Sequence, residues 1–427
     1  MNDNNPKIKE TFTLAWQHHK KNNLQAAELL YKQILEIEPD HIESIFHLGS
    51  LSVQIGNLER ASQLLSKTVQ IDPSHFKALN NLGIVFQKLE KHQQAIDCYK
   101  KAIGIDPNYS DAYCNLAILY MNIGRHEEAL QYCDQLLNLS PEKLKGINVK
   151  SKILQKNVPA WHVTMMNDNG RNNFYLSALK SVIKTSSSVF EIGTGSGLLS
   201  IMAANLGAHE INTCETNSII ANAAIKVIAD NNLSEKINVI PKKSNDIKVE
   251  EDMNKQADVL VSEIFSSELL GEDVLPSLED AKQRLISKNA KIIPEYGSIM
   301  ISLFGGDDIA KNIYTEKFEN IKLKKFNSII PRKQFWHRPD LKIDLMSNVV
   351  EAFRFDFVNR NNFSSENKKI GIEAIKKGRC YGIIQWIKLE MDNGLKYENH
   401  PANLTKASGW QNIFYLFDDP IQLSIEK

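Results

Sequence analysis

Four prolines, Pro39, Pro73, Pro107 and Pro141, stand 34 residues apart. Twelve residues before each lies an alanine: Ala27, Ala61, Ala95 and Ala129. A third column, Leu14-Ala15, Leu48-Gly49, Leu82-Gly83 and Leu116-Ala117, keeps the same period. Three columns sharing one period over four units restrict the N-terminal third to an array of one small supersecondary unit. Small residues let two helices approach closely, and each proline ends one helix and starts the next. One unit cannot bury its apolar face alone, so the four must stack. Residues 142–156 (EKLKGINVKSKILQK) read as a capping helix.

This pattern resembles tetratricopeptide repeats, an all-α solenoid. Asn81 and Asn115 share one column, expected to face the inner groove. An amide donates and accepts, so it can hold a peptide backbone. Some repeat proteins of this type use an asparagine ladder in that way, and the resemblance implies a protein or peptide partner in the groove. The same column holds Thr13 and His47, so the ladder has two rungs. Ordinary polar groove residues remain the plainer reading.

The chain has 427 residues, room for two or three domains. Lys+Arg and Asp+Glu both count 51, which argues against a polybasic arm and hence against nucleic-acid binding. Five cysteines are scattered without a CxxC pair, so neither a disulfide framework nor a cysteine zinc site is expected. The N-terminus MNDNNPKIKE has no apolar core, and no apolar run reaches 18 residues. No signal peptide and no membrane span are therefore expected, and a cytoplasmic location (or nuclear, in a eukaryote) is the default.

Residues 188–197 read SVFEIGTGSG, an apolar strand running into Gly193, Gly195 and Gly197, followed by a helix-like LLSIMAANLGA. Leu198 stands where a dinucleotide site would need its third glycine. Glycines are needed where backbone must pass close to a ligand. The next strand ends at Glu215, 20 residues after Gly195, where a carboxylate can accept both ribose hydroxyls. This strand–loop–helix resembles motif I of class I S-adenosylmethionine (AdoMet) methyltransferases, an α/β Rossmann-like fold. The resemblance implies AdoMet as cofactor, held by Glu191, Gly193, Gly195, Gly197 and Glu215. Ser244 and Asn245, at the end of the third strand, would lie by the adenine.

After a fourth strand, ADVLVSEIF, Glu263 and Glu272 stand nine residues apart with Glu268 between them. Acids at that strand end lie beside the cofactor crevice. A guanidinium has five donors in a fixed fork and stays protonated in water. Two carboxylates can hold it by charge-assisted hydrogen bonds and polarise one nitrogen toward a methyl donor. Glu263 and Glu272 match the paired glutamates of protein arginine N-methyltransferases. VFEIGTGSGLLS and EIFSSELLGEDVLPS look closest to the seventh and ninth types of that family, and the ninth bears such repeats. Upstream, WHVTMMNDNGRNNFY fits the family's helix over the cofactor. By resemblance, His162, Met165 and Arg171 are cofactor-binding: Arg171 pairs with the AdoMet carboxylate, and Met165 lies over the reaction centre. The family's doubled tyrosine is replaced by VPAW. No metal is implied.

From residue 291 the texture turns β-rich, in KIIPEYGSIMISLF, VVEAFRFDFV, YGIIQWIKLEM and WQNIFYLF. This resembles the family's β-barrel, with residues 306–345 as an excursion where a dimerisation arm would sit. Where the family carries Thr-His-Trp, this chain has Ser408, Gly409 and Trp410. Trp410 is expected to stack on a substrate guanidinium. Gly409 in place of histidine is expected to leave room; by resemblance, a small residue here goes with a monomethyl or symmetric dimethyl product. The chain continues only 17 residues past Trp410, fewer than the family's barrel needs, which leaves three expectations: a smaller barrel, one covered by a second copy in a homodimer, or a compromised protein.

The architecture read from sequence is thus multidomain: repeats over 1–157, an AdoMet-binding domain over 158–293, and a barrel-like substrate domain over 294–427. The function is AdoMet-dependent protein arginine N-methylation. Two alternatives stand: a catalytically inactive repeat adaptor, and methylation of another side chain such as lysine. A two-carboxylate cage disfavours lysine, because it would hold the ammonium protonated.

Overall fold

The computed structural model describes residues 5–405 and 408–424. The chain divides into two compact units at Asn157/Val158.

In the first unit the described residues form nine helices: α1 (Pro6–Lys20), α2 (Leu24–Ile37), α3 (Ile42–Gln54), α4 (Leu58–Ile71), α5 (Phe76–Lys88), α6 (His92–Ile105), α7 (Ser110–Asn122), α8 (His126–Leu139) and α9 (Leu144–Asn157). They pair as four repeats and a capping helix. The prolines lie in the turns after α2, α4, α6 and α8. Ala27, Ala61, Ala95 and Ala129 are fully buried. The small column has a steric cause. A Cβ on Gly83 would lie 2.6 Å from the Tyr99 ring, and one on Gly49 2.9 Å from Leu65. Asn81 and Asn115 are half-buried, and their amides bond within the solenoid. Asn81 donates to Ser50 Oγ (2.9 Å), Asn115 donates to Asn80 Oδ1 (2.9 Å), and Asn80 donates to Asn81 Oδ1 (3.4 Å). The two expected rungs are thus linked through Asn80, a residue the column pattern does not single out.

The second unit opens with α10 (Trp161–Met166) and α11 (Asn169–Val182). A five-stranded parallel sheet follows, β1 (Ser188–Ile192), β2 (Glu210–Cys214), β3 (Ile237–Ile240), β4 (Ala257–Ser262) and β5 (Ile286–Ile293), in the order β3-β2-β1-β4-β5. Helices α12 (Leu198–Asn205), α13 (Ser218–Asp230) and α14 (Val274–Arg284) connect its strands. Every residue of β1 is buried, as expected of a central strand covered on both faces. The order reverses between β1 and β4, which opens a crevice at their carboxyl ends.

The remaining elements are β6 (Tyr296–Gly305), α15 (Asp307–Ile313), β7 (Lys317–Phe318), β8 (Ile321–Lys322), β9 (Lys333–Trp336), β10 (Asp344–Leu345), β11 (Val350–Asp356), β12 (Gly378–Glu390), β13 (Lys396–Glu398) and β14 (Asn412–Leu423). Seven of the strands form an antiparallel sheet in the order β10-β6-β12-β14-β9, with β11 also on β6 and β13 on β12. Ile387, Leu389, Met391 and Trp410 join the core of the parallel sheet. A separate cluster of Phe304, Ile309, Trp386 and Phe414 holds α15 against this sheet. Part of the 306–345 excursion departs from the arm expected of it: β9 pairs with β14 along Asn412↔Trp336 to Tyr415↔Lys333. The β7–β8 hairpin and the turn after it stay on the surface, exposing Phe318, Ile321, Phe326 and Ile329. Among the described residues no helix is long and apolar enough to cross a membrane.

Candidate active site

The glycine loop leaves β1 with positive φ at Gly193 (85°), Gly195 (53°) and Gly197 (82°). Residues with a Cβ rarely adopt this backbone. Gly193 and Thr194 donate their N–H groups to Cys214 O (3.0 Å each), which clamps the loop to β2. A Cβ added to Gly195 would meet nothing within 4 Å, so the loop has open space above it. Glu215 lies beside it, its carboxylate accepting from Gly195 N (3.2 Å) and Asn217 N (2.9 Å).

Glu191 stands below this loop. It is buried and accepts from Ser200 Oγ and from Thr213 Oγ1 (3.0 Å). Thr213 in turn meets Thr194 of the loop (2.7 Å). Burial pushes the Glu191 carboxyl up to about 7. Through Thr213 and Thr194 it braces the loop from the interior. Ser244 is buried at the start of a short 3-10 turn and Asn245 is exposed. Their carbonyls accept from Arg284 (3.3 and 3.1 Å).

Arg171 and Glu263 form a buried ion pair of 2.8 Å, each side chain 4% exposed. Helix α11 presents Arg171, and its Tyr175 donates to Ser262 O (2.9 Å), the residue before Glu263. The pair is not closed. Arg171 Nε and Glu263 Oε1 are buried without a hydrogen-bond partner among the described residues. Such atoms are unfavourable unless a ligand meets them. An orphaned guanidinium nitrogen suits a carboxylate, and an orphaned carboxylate oxygen suits a guanidinium. Together with the open glycine loop and Glu215, these atoms fit AdoMet on one side and an arginine on the other. Burial holds the Glu263 carboxyl above its ordinary value, with Arg171 pulling the other way. Glu272 is also raised, by partial desolvation and then by the charge of Glu215.

A cavity of about 580 Å³ lies beside Glu263 and Glu272. Its wall includes Met165, Glu263, Glu272, Glu268, His337 and Trp410. A second cavity, of about 650 Å³, is lined by residues at the starts of β2 and β3, such as Glu210 and Lys236. It lies at the wrong end of the strands for this chemistry. Trp410 is buried, with its Nε1 donating to Phe265 O (2.7 Å) and its ring beside Tyr397 (5.4 Å). It anchors the acidic loop while lining the cavity. Gly409 does not leave room, which corrects the sequence reading. A Cβ there would lie 3.2 Å from the Met165 backbone, so glycine lets α10 close onto the 408–410 loop. His162 stacks on Trp161 (4.1 Å), and desolvation lowers its pKa.

One residue outside the predicted site organises the wall. Asp168 caps α11 by accepting from Arg171 N (3.0 Å), and also accepts from Gly409 N (3.1 Å) and Tyr397 OH. One carboxylate thus ties α11 to two segments of the β domain. Asp168 could be proposed from sequence only as a helix cap. Among the described residues no group of three or more His, Cys, Asp or Glu side chains could hold a metal ion.

With this geometry in view, comparison with known proteins is informative. The ribosomal protein L11 methyltransferase (PrmA) family matches residues 172–293, and the tetratricopeptide repeat protein 21 C-terminal ARM domain matches residues 8–158. The arginine N(omega)-methyltransferase of Streptomyces achromogenes subsp. streptozoticus is 30% identical over 288 residues, covering 67% of this chain and 79% of that protein. The chain belongs to the arginine N-methyltransferase family. Protein arginine N-methyltransferase 7 of Oryza sativa subsp. indica is 31% identical over 256 residues, covering 54% of this chain and 35% of that protein. The chain thus spans about a third of the rice methyltransferase's length. A solved chain of the Trypanosoma brucei PRMT1 enzyme-prozyme heterotetrameric complex with AdoHcy superposes with a TM-score of 0.52 at 20% identity, over 62% of this chain and 84% of that one. At that identity the likeness is one of fold alone.

Proposed function

We propose that this protein transfers a methyl group from AdoMet to a guanidino nitrogen of arginine, in a protein or peptide held by the repeat groove. The observation that carries this is the orphaned Glu263 Oε1, buried in a cavity that Glu272 also lines. The cofactor supplies a methyl group on a sulfonium, a strong electrophile that needs no metal.

The chain's own residues do the rest. Gly193, Gly195 and Gly197 let the cofactor approach the backbone, and Glu215 takes the ribose hydroxyls. Arg171 offers Nε to the cofactor's carboxylate while Nη2 keeps Glu263 turned toward it. His162 and Met165 belong to the helix that covers the cofactor. Ser244 and Asn245 border the adenine. Glu263 and Glu272 grip the substrate guanidinium, localise its charge away from one nitrogen, and hold that nitrogen in line with the methyl. Because burial raises both carboxyls, they ionise later than free glutamates, and activity falls on acidification sooner than an exposed pair would dictate. Asn81 and Asn115 line the peptide groove. The exposed Phe318, Ile321, Phe326 and Ile329 favour a second copy of the chain as a partner.

The test is direct. The purified chain is incubated with AdoMet and either an arginine-containing peptide or free arginine, and methylarginine is read by mass spectrometry. Free arginine is included because the Streptomyces relative is named for arginine without the word protein. Methylarginine is expected. A folded chain that binds no AdoMet would favour the adaptor reading, and methyl-lysine in the product would favour the other alternative.

A further inference from the structure

His337 is the feature of the site that neither the motifs nor the mechanism above accounts for. It follows β9 directly, one residue beyond the pair Trp336↔Asn412. That register brings it alongside the 408–411 segment, where the resemblance expects a histidine and the chain has Gly409. Its ring lines the same cavity as Glu263 and Glu272. Both ring nitrogens, Nδ1 and Nε2, are buried without a hydrogen-bond partner among the described residues.

A buried imidazole with neither nitrogen satisfied is unfavourable, and no hydrogen bond among the described residues fixes its ring. A neutral imidazole has one acceptor nitrogen and one donor. The cavity is otherwise rich in carboxylates, which accept only. A guanidinium has five N–H donors, whereas Glu263 Oε1 and the two oxygens of Glu272 offer three acceptor atoms. A further acceptor without charge is well suited here. It fixes the rotation of the guanidinium plane without adding negative charge that would hold the reacting nitrogen protonated. The wall is also secured for this purpose. Lys333, on the same strand, pairs with Glu268, and Gln411 N donates to Ser267 Oγ (2.9 Å). Strand β9 is thereby tied to the acidic loop that carries Glu263 and Glu272.

We propose that His337 is a substrate-binding residue. Its ring turns about the Cβ–Cγ bond to accept an N–H from the substrate guanidinium, supplying from β9 the imidazole that Gly409 cannot. This rests on the arginine reading of the site.

The experiment compares the wild-type chain with His337→Ala, His337→Asn and His337→Gln. Each is titrated calorimetrically with AdoMet, and then, in the presence of S-adenosylhomocysteine, with an arginine-containing peptide and with free arginine. Steady-state kinetics are measured in parallel. A hydrogen bond to a charged group predicts arginine-substrate binding at least tenfold weaker in His337→Ala, with KM raised to match and AdoMet affinity unchanged. Either amide variant should recover most of the loss. Recovery by Asn assigns the contact to Nδ1, and recovery by Gln to Nε2. Wild-type binding and KM in His337→Ala would overturn the proposal. So would a loss of AdoMet and arginine binding together that no amide restores, since that pattern marks a structural role. A wild-type chain that binds AdoMet but no arginine substrate overturns the arginine reading, and His337 with it, before any variant is needed.

Discussion

Glycine is required for opposite reasons in the two units. Gly83 lies within the regular helix α5, and only the Tyr99 ring of the neighbouring helix forbids it a side chain. Gly195 has open space around it, and only its φ of 53° forbids one. In the repeats, residues are chosen by what the next helix leaves free. In the site they are chosen by a backbone path that must stay clear for a ligand. The same contrast holds for polar groups. Asn81 and Asn115 spend their amides within the solenoid, whereas Arg171, Glu263 and His337 keep buried atoms unmet.

The largest effect that sharpens this contrast is expected at Glu263. Glu263→Gln keeps the volume but removes the charge that grips the substrate, so turnover should fall by about 10²–10³-fold. AdoMet binding should survive, and near wild-type turnover would rule out the carboxylate grip. Next is Asp168→Ala, which removes a helix cap and two buried acceptor contacts. A loss of roughly 2–4 kcal/mol is expected in the second unit. Hydrogen exchange should show it there and leave α1–α9 protected as before.

Acid separates the units by sign. Glu191 is raised from 4.5 to about 7, so the folded chain binds the extra proton between those values. Its contribution to stability is full below 4.5 and is lost as pH rises through about 7. His47 is lowered by burial from 6.5 to about 4, with His19 and His75 adding to the shift. Its contribution is full above 6.5 and is lost as pH falls through about 4. Each is worth up to about 3 kcal/mol before solvent screening. On going from pH 7 to pH 4.5, amide protection factors, corrected for the intrinsic pH dependence of exchange, should therefore fall around His47 and rise around β1. Glu191→Gln and His47→Leu should each flatten one of the two trends. Two trends of the same sign would break the comparison.

The smallest effect is at the glycines themselves. Gly83→Ala should cost about 1–3 kcal/mol in the repeats through overpacking against Tyr99, with AdoMet affinity unchanged. Gly195→Ala should cost about 1 kcal/mol or more through backbone strain, and weaken AdoMet. Calorimetry and thermal melting on the full chain separate the two.

What could be located from sequence had a local signature. The repeat helices follow from a 34-residue period that recurs over four consecutive units. Gly193, Gly195, Gly197 and Glu215 sit in one strand–loop–helix and the strand after it, and Glu263 and Glu272 in one loop. Other placements needed the folded chain. Glu191 lies in the same motif as the glycines, but β1 is covered on both faces and the hydroxyls of Ser200 and Thr213 hold its carboxyl in the interior. Gly409 looked like vacant space because α10, more than two hundred residues earlier, could not be seen closing on it. The 306–345 stretch read as an arm by resemblance, yet its β9 pairs into the sheet with a strand about eighty residues later.

The sequence by itself determined the solenoid, the parallel-sheet fold and the chemical type of the site. Helix periodicity, glycine dihedrals and spaced carboxylates act within one or two elements, and their causes are written side by side in the chain. Only the tertiary structure decided the walls of the pocket. Asp168 meets Tyr397, Trp410 meets Phe265, and His337 comes alongside the 408–411 segment. Those contacts join segments far apart in sequence, and no periodic pattern records a meeting that sheet pairing and domain packing bring about.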